Sequence, residues 1–178
     1  GQLGGLARRA AWIRAARVRG EHVLLVDAGD LYFRREPIPE ILKPQLRLKA
    51  RTIAGFYRSL GYAPAALGEL DLALGREAFE EIERPPLAAN LRGPLHPETA
   101  SIVDVAGLRI GLFGIASHLP EDAGGIEVGD AKETASRAVA EIREKADLVV
   151  CLSHLGWTAD RALAESVPGI DVIAGGHD

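Results

Sequence analysis

Four apolar runs in this 178-residue chain each stop abruptly on side chains able to bind a metal ion. The run from His22 through Val26 meets Asp27-Ala28-Gly29-Asp30, and Tyr62 through Leu67 meets Gly68-Glu69-Leu70-Asp71. Leu148 through Leu152 meets Ser153-His154, and Ile170 through Ala174 meets Gly175-Gly176-His177-Asp178. In an α/β sheet the carboxyl ends of the strands share one edge, and ligands bind in the crevice there. Carboxylates and imidazoles brought to that edge on glycine-hinged loops form the beginnings of a metal site.

Composition narrows the function classes. The length fits one domain, and 47% hydrophobic content is enough to build a core. A net charge of −4 argues against a nucleic-acid partner, which favours a basic excess. No run approaches the ~18–20 apolar residues of a transmembrane segment. The single cysteine, Cys151, has no partner for an internal disulfide. With a glycine-rich start and no closing helix, residues 1–178 read as a single domain truncated at both ends.

Helices alternate with apolar strands along the chain. Leu6, Ala10 and Ile13 recur at helical spacing through Ala7–Arg19, and Gly20 stops that helix. Its arginines (8, 9, 14, 17 and 19) read ordinarily as a solvated face, the other reading being a patch for phosphate or acidic lipid. Val23–Val26 is then expected as a buried strand. Residues 34–44, with three prolines, predict a loop entering a helix whose apolar face is Leu46, Ala50, Ile53, Ala54, Tyr57 and Leu60, ended by Gly61. Pro85-Pro86 breaks a short helix before a short strand at Leu87-Ala88-Ala89-Asn90.

Ser101–Val105 and Leu108–Ile115 around Ala106-Gly107 predict a hairpin. Asp130 and Glu133 resemble a capping box opening a helix with Ala135, Ala138, Val139 and Ile142 inward. Thr158 is expected to cap the last helix, which Pro168-Gly169 ends. The pattern predicts an α/β fold with a mixed sheet or two sheets.

Asp30 follows its strand across an Ala-Gly step that turns the backbone into the crevice, although a loop carboxylate there can equally cap the next turn, as Asp27 can. A lone histidine after a strand, such as His154, is more often a satisfied core residue than a ligand. His177 shifts the balance, because it ends the next strand on the same sheet edge. Two histidines plus carboxylates suit Zn, Mn, Fe or Ni better than Ca or Mg. His22, His96 and His118 lack this placement; His96, between prolines, and His118, before Leu119-Pro120, read as loop residues. There is no HExxH, CxxC or P-loop. Ser153 and His154 project to opposite sides of a strand, which does not suit a nucleophile–base pair.

Val26-Asp27-Ala28-Gly29-Asp30, Leu67-Gly68-Glu69-Leu70-Asp71, Ala88-Ala89-Asn90, Leu152-Ser153-His154-Leu155-Gly156 and Gly175-Gly176-His177 occur in the order found in calcineurin-like metallophosphoesterases. The chain resembles that superfamily over nearly its whole length, and within it the bacterial periplasmic 5′-nucleotidases and their sulfur-oxidation relatives. Gly4-Gly5-Leu6-Ala7-Arg8-Arg9 is similar to the Gly-Gly-Leu-Ala-Arg segment of that branch.

The resemblance implies a two-sheet β-sandwich flanked by helices, a four-layer αββα fold. It implies that Asp30 bridges two divalent transition-metal ions and that His154 and His177 complete the second ion's shell. Glu69 stands where the family's Gly-Asn-His motif has its asparagine ligand. Leu70 stands where that motif has the histidine that stabilises the transition state or protonates the leaving group, so no catalytic residue is assigned there. Asp27, Asp71 and Asn90 are candidate site-lining residues. The family's Asp-x-His motif, which supplies the first metal, is expected upstream of Gly1, leaving one half-site visible.

The implied function is hydrolysis of a phosphate ester, with a nucleotide as substrate, by a compromised active site. A catalytically inactive binding or scaffold domain is the alternative. A C-terminal substrate-binding domain and a periplasmic or cell-envelope location are implied by the resemblance alone.

Overall fold

A computed structural model describes residues 5–34, 36–82, 85–119 and 123–177. Gly4 of the opening motif and Asp178 lie outside the described residues. Five helices are present among them, α1 (Leu6–Val18), α2 (Lys43–Leu60), α3 (Arg76–Glu80), α4 (Ala131–Ile142) and α5 (Trp157–Ser166). The strands are β1 (Leu91–Arg92), β2 (Ala100–Val105), β3 (Leu108–Ile115), β4 (Glu127–Val128), β5 (Leu148–Ser153) and β6 (Val172–Gly175). They form a four-stranded sheet, β2-β3-β5-β6, and a two-stranded antiparallel pair, β1-β4. β2 and β3 are the expected hairpin, with Ala106 and Gly107 both at positive φ (56° and 86°), as a two-residue turn of matching twist requires.

β3, β5 and β6 are parallel, so Ile115, Ser153 and Gly175 finish on one edge. Alternate residues of the sheet face opposite ways. Phe113, Ile115, Val149 and Cys151 pack against Ala135, Ala138 and Val139 of α4 and Leu163 of α5. Leu112 and Leu152 pack the other way, against Ala66, Leu87, Leu24 and Val26. Beyond that layer, Ala10 and Ile13 of α1 pack with Leu25 and with Leu60 of α2. Helices, sheet, extended layer and helices therefore stack in the four-layer order. No helix among the described residues is long and apolar enough to cross a membrane.

Three local expectations differ. Val23–Val26 is extended but not a regular strand; Ala63 N–H bonds Leu25 C=O at 2.9 Å and Ala66 N–H bonds Asp27 C=O at 3.0 Å. The two bonds are separated by two residues on one side and three on the other, so the pairing is not a regular ladder. Leu87 makes isolated bridges to Ala66 and Glu98, and the strand proper is Leu91–Arg92. Gly156 at φ 85°, not Thr158, caps α5, because only the glycine adopts that turn without strain. Gly61 (φ 71°) ends α2 and the Asp130 carboxylate accepts the Glu133 N–H at 2.7 Å, both as expected. Two arginines of α1 are anchored rather than only solvated: Arg9 donates to the Tyr57 hydroxyl at 2.6 Å and Arg17 to Leu60 C=O at 2.7 Å.

Candidate metal centre

The β5 ladder ends at Ser153, and His154 turns inward with its N–H on Ile115 C=O at 2.8 Å. His154 is 1% exposed, and its Nδ1 lies 2.6 Å from Ala28 C=O. A carbonyl only accepts, so Nδ1 carries the proton and Nε2 points into the site. That Nε2 lies 3.1 Å from Glu69 Oε2 and 3.4 Å from Asp30 Oδ2, ion-pair distances without a formed hydrogen bond. His177 Nδ1 lies 3.1 Å from the other Glu69 oxygen, and the two imidazole rings are 5.2 Å apart. The structure thus brings Asp30, Glu69, His154 and His177 together.

Backbone detail holds the cluster. Asp30 (φ 55°) and His177 (φ 80°) both occupy the left-handed region, which costs a non-glycine residue of order 1–3 kcal/mol. Asp30 Oδ1 accepts the Leu70 N–H at 2.8 Å. Behind it, the buried Asp71 accepts N–H bonds from Asp30 (2.9 Å), Gly68 (3.1 Å) and Tyr32 (3.2 Å). Burial outweighs these donors and, helped by the nearby Asp30 charge, pushes the Asp71 carboxyl up to about 7. Glycine is required around the imidazole. A β-carbon on Gly68 would overlap Asp30 Oδ1 and lie 2.7 Å from His154 Nε2, and one on Gly29 would lie 2.5 Å from Gly68 N. Gly68 has an ordinary φ of −99°, so the restriction there is purely steric. Gly68→Ala should therefore destabilise the fold by about 1–3 kcal/mol, measured as a lowered denaturant midpoint; an unchanged midpoint would mean the loop yields freely.

These side chains fit a divalent ion. Glu69 Oε2 and His154 Nε2 are both buried and lack a hydrogen-bond partner, a costly state that a cation relieves. Ligand atoms of Glu69, His154 and His177 lie within 4.8 Å of one another. Two donors each ~2.0–2.2 Å from one ion lie at most ~4.4 Å apart, so closure by a few tenths of an ångström suffices.

Without an ion, a proton takes its place. Burial lowers the His154 pKa, but Asp30, the Ala28 carbonyl and Glu69 outweigh it and push the value up to about 9. Folded-state protonation above the ordinary value of 6.5 adds stability that is complete below 6.5 and lost as pH rises to about 9. Asp71 acts with the same sign but is spent by about 7. The Tm of chelator-treated protein should thus decline between about pH 7 and 9, and His154→Ala should flatten that decline. A Tm that is level in the wild type would refute the ion-pair account.

The other expected site residues are engaged in building the loops. Asp27 accepts Gly29 N–H at 3.1 Å and the Tyr57 hydroxyl at 2.8 Å. Asn90, 2% exposed, ties its amide to Ala116 C=O (2.8 Å), Ala116 N–H (2.9 Å) and Gly129 C=O (3.4 Å). A cavity of about 660 Å³ flanks Asp27 and Asp30 and is also lined by Arg9, Arg34 and Lys49. His118, read from the sequence as an ordinary loop residue, lies with its ring 5.4 Å from that of His177. The signal was present in weaker form: His118 follows β3 after Ala116-Ser117, whereas His154 follows β5 directly.

No family model matches the chain. It is 30% identical over 194 residues to a snake venom 5′-nucleotidase of Gloydius brevicauda, covering 98% of this chain and 32% of the relative. It is 31% identical over 209 residues to a 2′,3′-cyclic-nucleotide 2′-phosphodiesterase/3′-nucleotidase of Salmonella typhimurium, covering 97% and 32%. The crystal structure of a 5′-nucleotidase precursor from Thermus thermophilus superposes with a TM-score of 0.82 at 29% identity, over 98% of this chain and 36% of that one. The chain spans about a third of the length of the curated relatives it matches. Sequence and fold together are similar to about a third of a 5′-nucleotidase, consistent with the 5′-nucleotidase branch of the metallophosphoesterase-like proteins.

Proposed function

We propose that this is the metal-binding domain of a phosphoester hydrolase acting on nucleotides. One observation carries the reading: a buried, unpartnered carboxylate oxygen and imidazole nitrogen 3.1 Å apart, with His177 on the same carboxylate. Asp30, Glu69, His154 and His177 would hold the ion, and Mn, Zn, Fe and Ni all suit that donor set. A divalent ion there supplies Lewis acidity toward a phosphoryl oxygen. The chain's own part is orientation. The Ala28 carbonyl fixes the His154 tautomer, and the Leu70 N–H fixes the Asp30 carboxylate. The cations Arg9, Arg34 and Lys49 around the neighbouring cavity favour an anionic ester.

The venom and bacterial relatives, each about three times the matched length, support nucleotides as substrates and a further domain, which we propose is C-terminal and binds the substrate. The venom relative supports a location outside the cytoplasm; the periplasm or cell envelope is the compartment proposed, which cell fractionation would test. Leu70 favours a second reading, in which the domain binds its ligand without turnover. Phosphate release from nucleoside monophosphates by the full-length protein, with Mn²⁺ and then with chelator, separates the two. Metal-dependent release is expected; metal binding without release would favour the binding role.

A further inference from the structure

We propose that Asp160 is a positioning residue for both imidazoles of the candidate metal centre. This rests on the metal-binding reading above. Asp160 lies in the first turn of α5 and is only 8% exposed. Its Oδ1 accepts the hydroxyl proton of the fully buried Ser153, and Ser153 Oγ in turn accepts the Leu155 N–H at 3.2 Å. These two bonds secure the backbone on both sides of His154.

The other Asp160 oxygen faces Gly175, where a β-carbon would overlap it. Ser153 and Gly175 are partners in the last β5–β6 rung, and Gly176 N–H continues the pairing to Ser153 C=O at 2.8 Å. One carboxylate thus meets both members of that rung. His154 lies one residue beyond the first member, and His177 two residues beyond the second. A buried carboxylate is costly, and α5 already packs on the sheet through Leu163. The gain from Asp160 is a defined spacing between the two rings.

The test uses Co²⁺ as probe on the full chain, followed by visible absorption. Asp160→Ala should weaken Co²⁺ binding about 10-fold, the low end of the cost of losing a group bonded directly to a ligand, because Asp160 reaches the imidazoles only through Ser153 and Gly175, and should shift the absorption bands. Asp160→Asn, which keeps an oxygen for the Ser153 hydroxyl, should recover most of the affinity. Ser153→Ala should reproduce the loss, and it decides the matter if Asp160→Ala does not fold. Wild-type affinity and spectrum in Asp160→Ala or in Ser153→Ala would overturn the proposal. If the folded wild type itself fails to bind Co²⁺, the metal reading falls instead. Side-chain ¹⁵N shifts of the histidines in metal-free protein then decide the positioning role. Movement of His154 and His177 but not His22 or His96 in Asp160→Ala would support it, and unmoved shifts would overturn it.

Discussion

His154→Ala should cut metal-dependent phosphate release by the full-length protein about 10³-fold, since several kcal/mol of charge stabilisation depend on the ion. Among the candidate ligands, His154 is the most thoroughly fixed. His154 is 1% exposed, and Gly29 and Gly68 leave its ring a slot that a β-carbon on either would invade. Removing it leaves Glu69 and Asp30 facing each other without the imidazole that separates them. Charges left buried without a partner are strongly destabilising. Metal content of the purified variant should fall together with activity. His177 has a side chain 31% exposed, so His177→Ala should lose less, because water can occupy its position. If His154→Ala keeps wild-type turnover at saturating Mn²⁺, the ion is held elsewhere and this site is not the reactive one.

The part of this arrangement legible in the sequence is the part written in local pattern. Apolar runs ending on His154 and His177 predicted the shared edge, because the parallel strands β5 and β6 leave little freedom in where their ends lie, and the runs ending on Asp30 and Glu69 reach the same place through extended backbone outside the sheet. The extended layer was less legible. Val23–Val26 has strand composition, yet its neighbour is the segment around Ala63 and Ala66, which pairs with it out of regular register. Asp160 is further out of reach, since a helix position gives no sign that it will meet Ser153 and Gly175 from the side. The arginines of α1 teach a related point. Periodicity put them on the polar face, and only the fold shows Arg9 stacked over the Tyr57 ring and tied to its hydroxyl, which in turn holds Asp27. His118 is a weaker case of the rule that finds His154, because two residues separate it from β3 and a proline follows shortly after it, as in an ordinary loop.

Leu70→His should raise turnover of a nucleoside monophosphate by about 10²–10⁴-fold, the usual contribution of a positioned proton donor. Leucine offers neither a proton nor a hydrogen bond to a departing alkoxide. Its backbone is nevertheless fixed where such a group belongs, because Leu70 N–H holds the Asp30 carboxylate at 2.8 Å. Leu70 is half-buried, so an imidazole there retains access to solvent protons. The gain should depend on the leaving group. A nucleoside alkoxide leaves poorly without a proton, whereas an aryl phosphate releases a stable phenolate and needs little help. The increase should therefore be large for the nucleotide and small for the aryl ester, compared at matched metal content in the full-length protein. A wild type that already hydrolyses the nucleotide at ordinary enzymatic rates would mean that another group protonates the leaving oxygen. Equal gains on both substrates would instead mean that histidine acts on metal or phosphate binding. No turnover by either variant with metal bound would make the domain a binding module, for which Leu70 is no handicap.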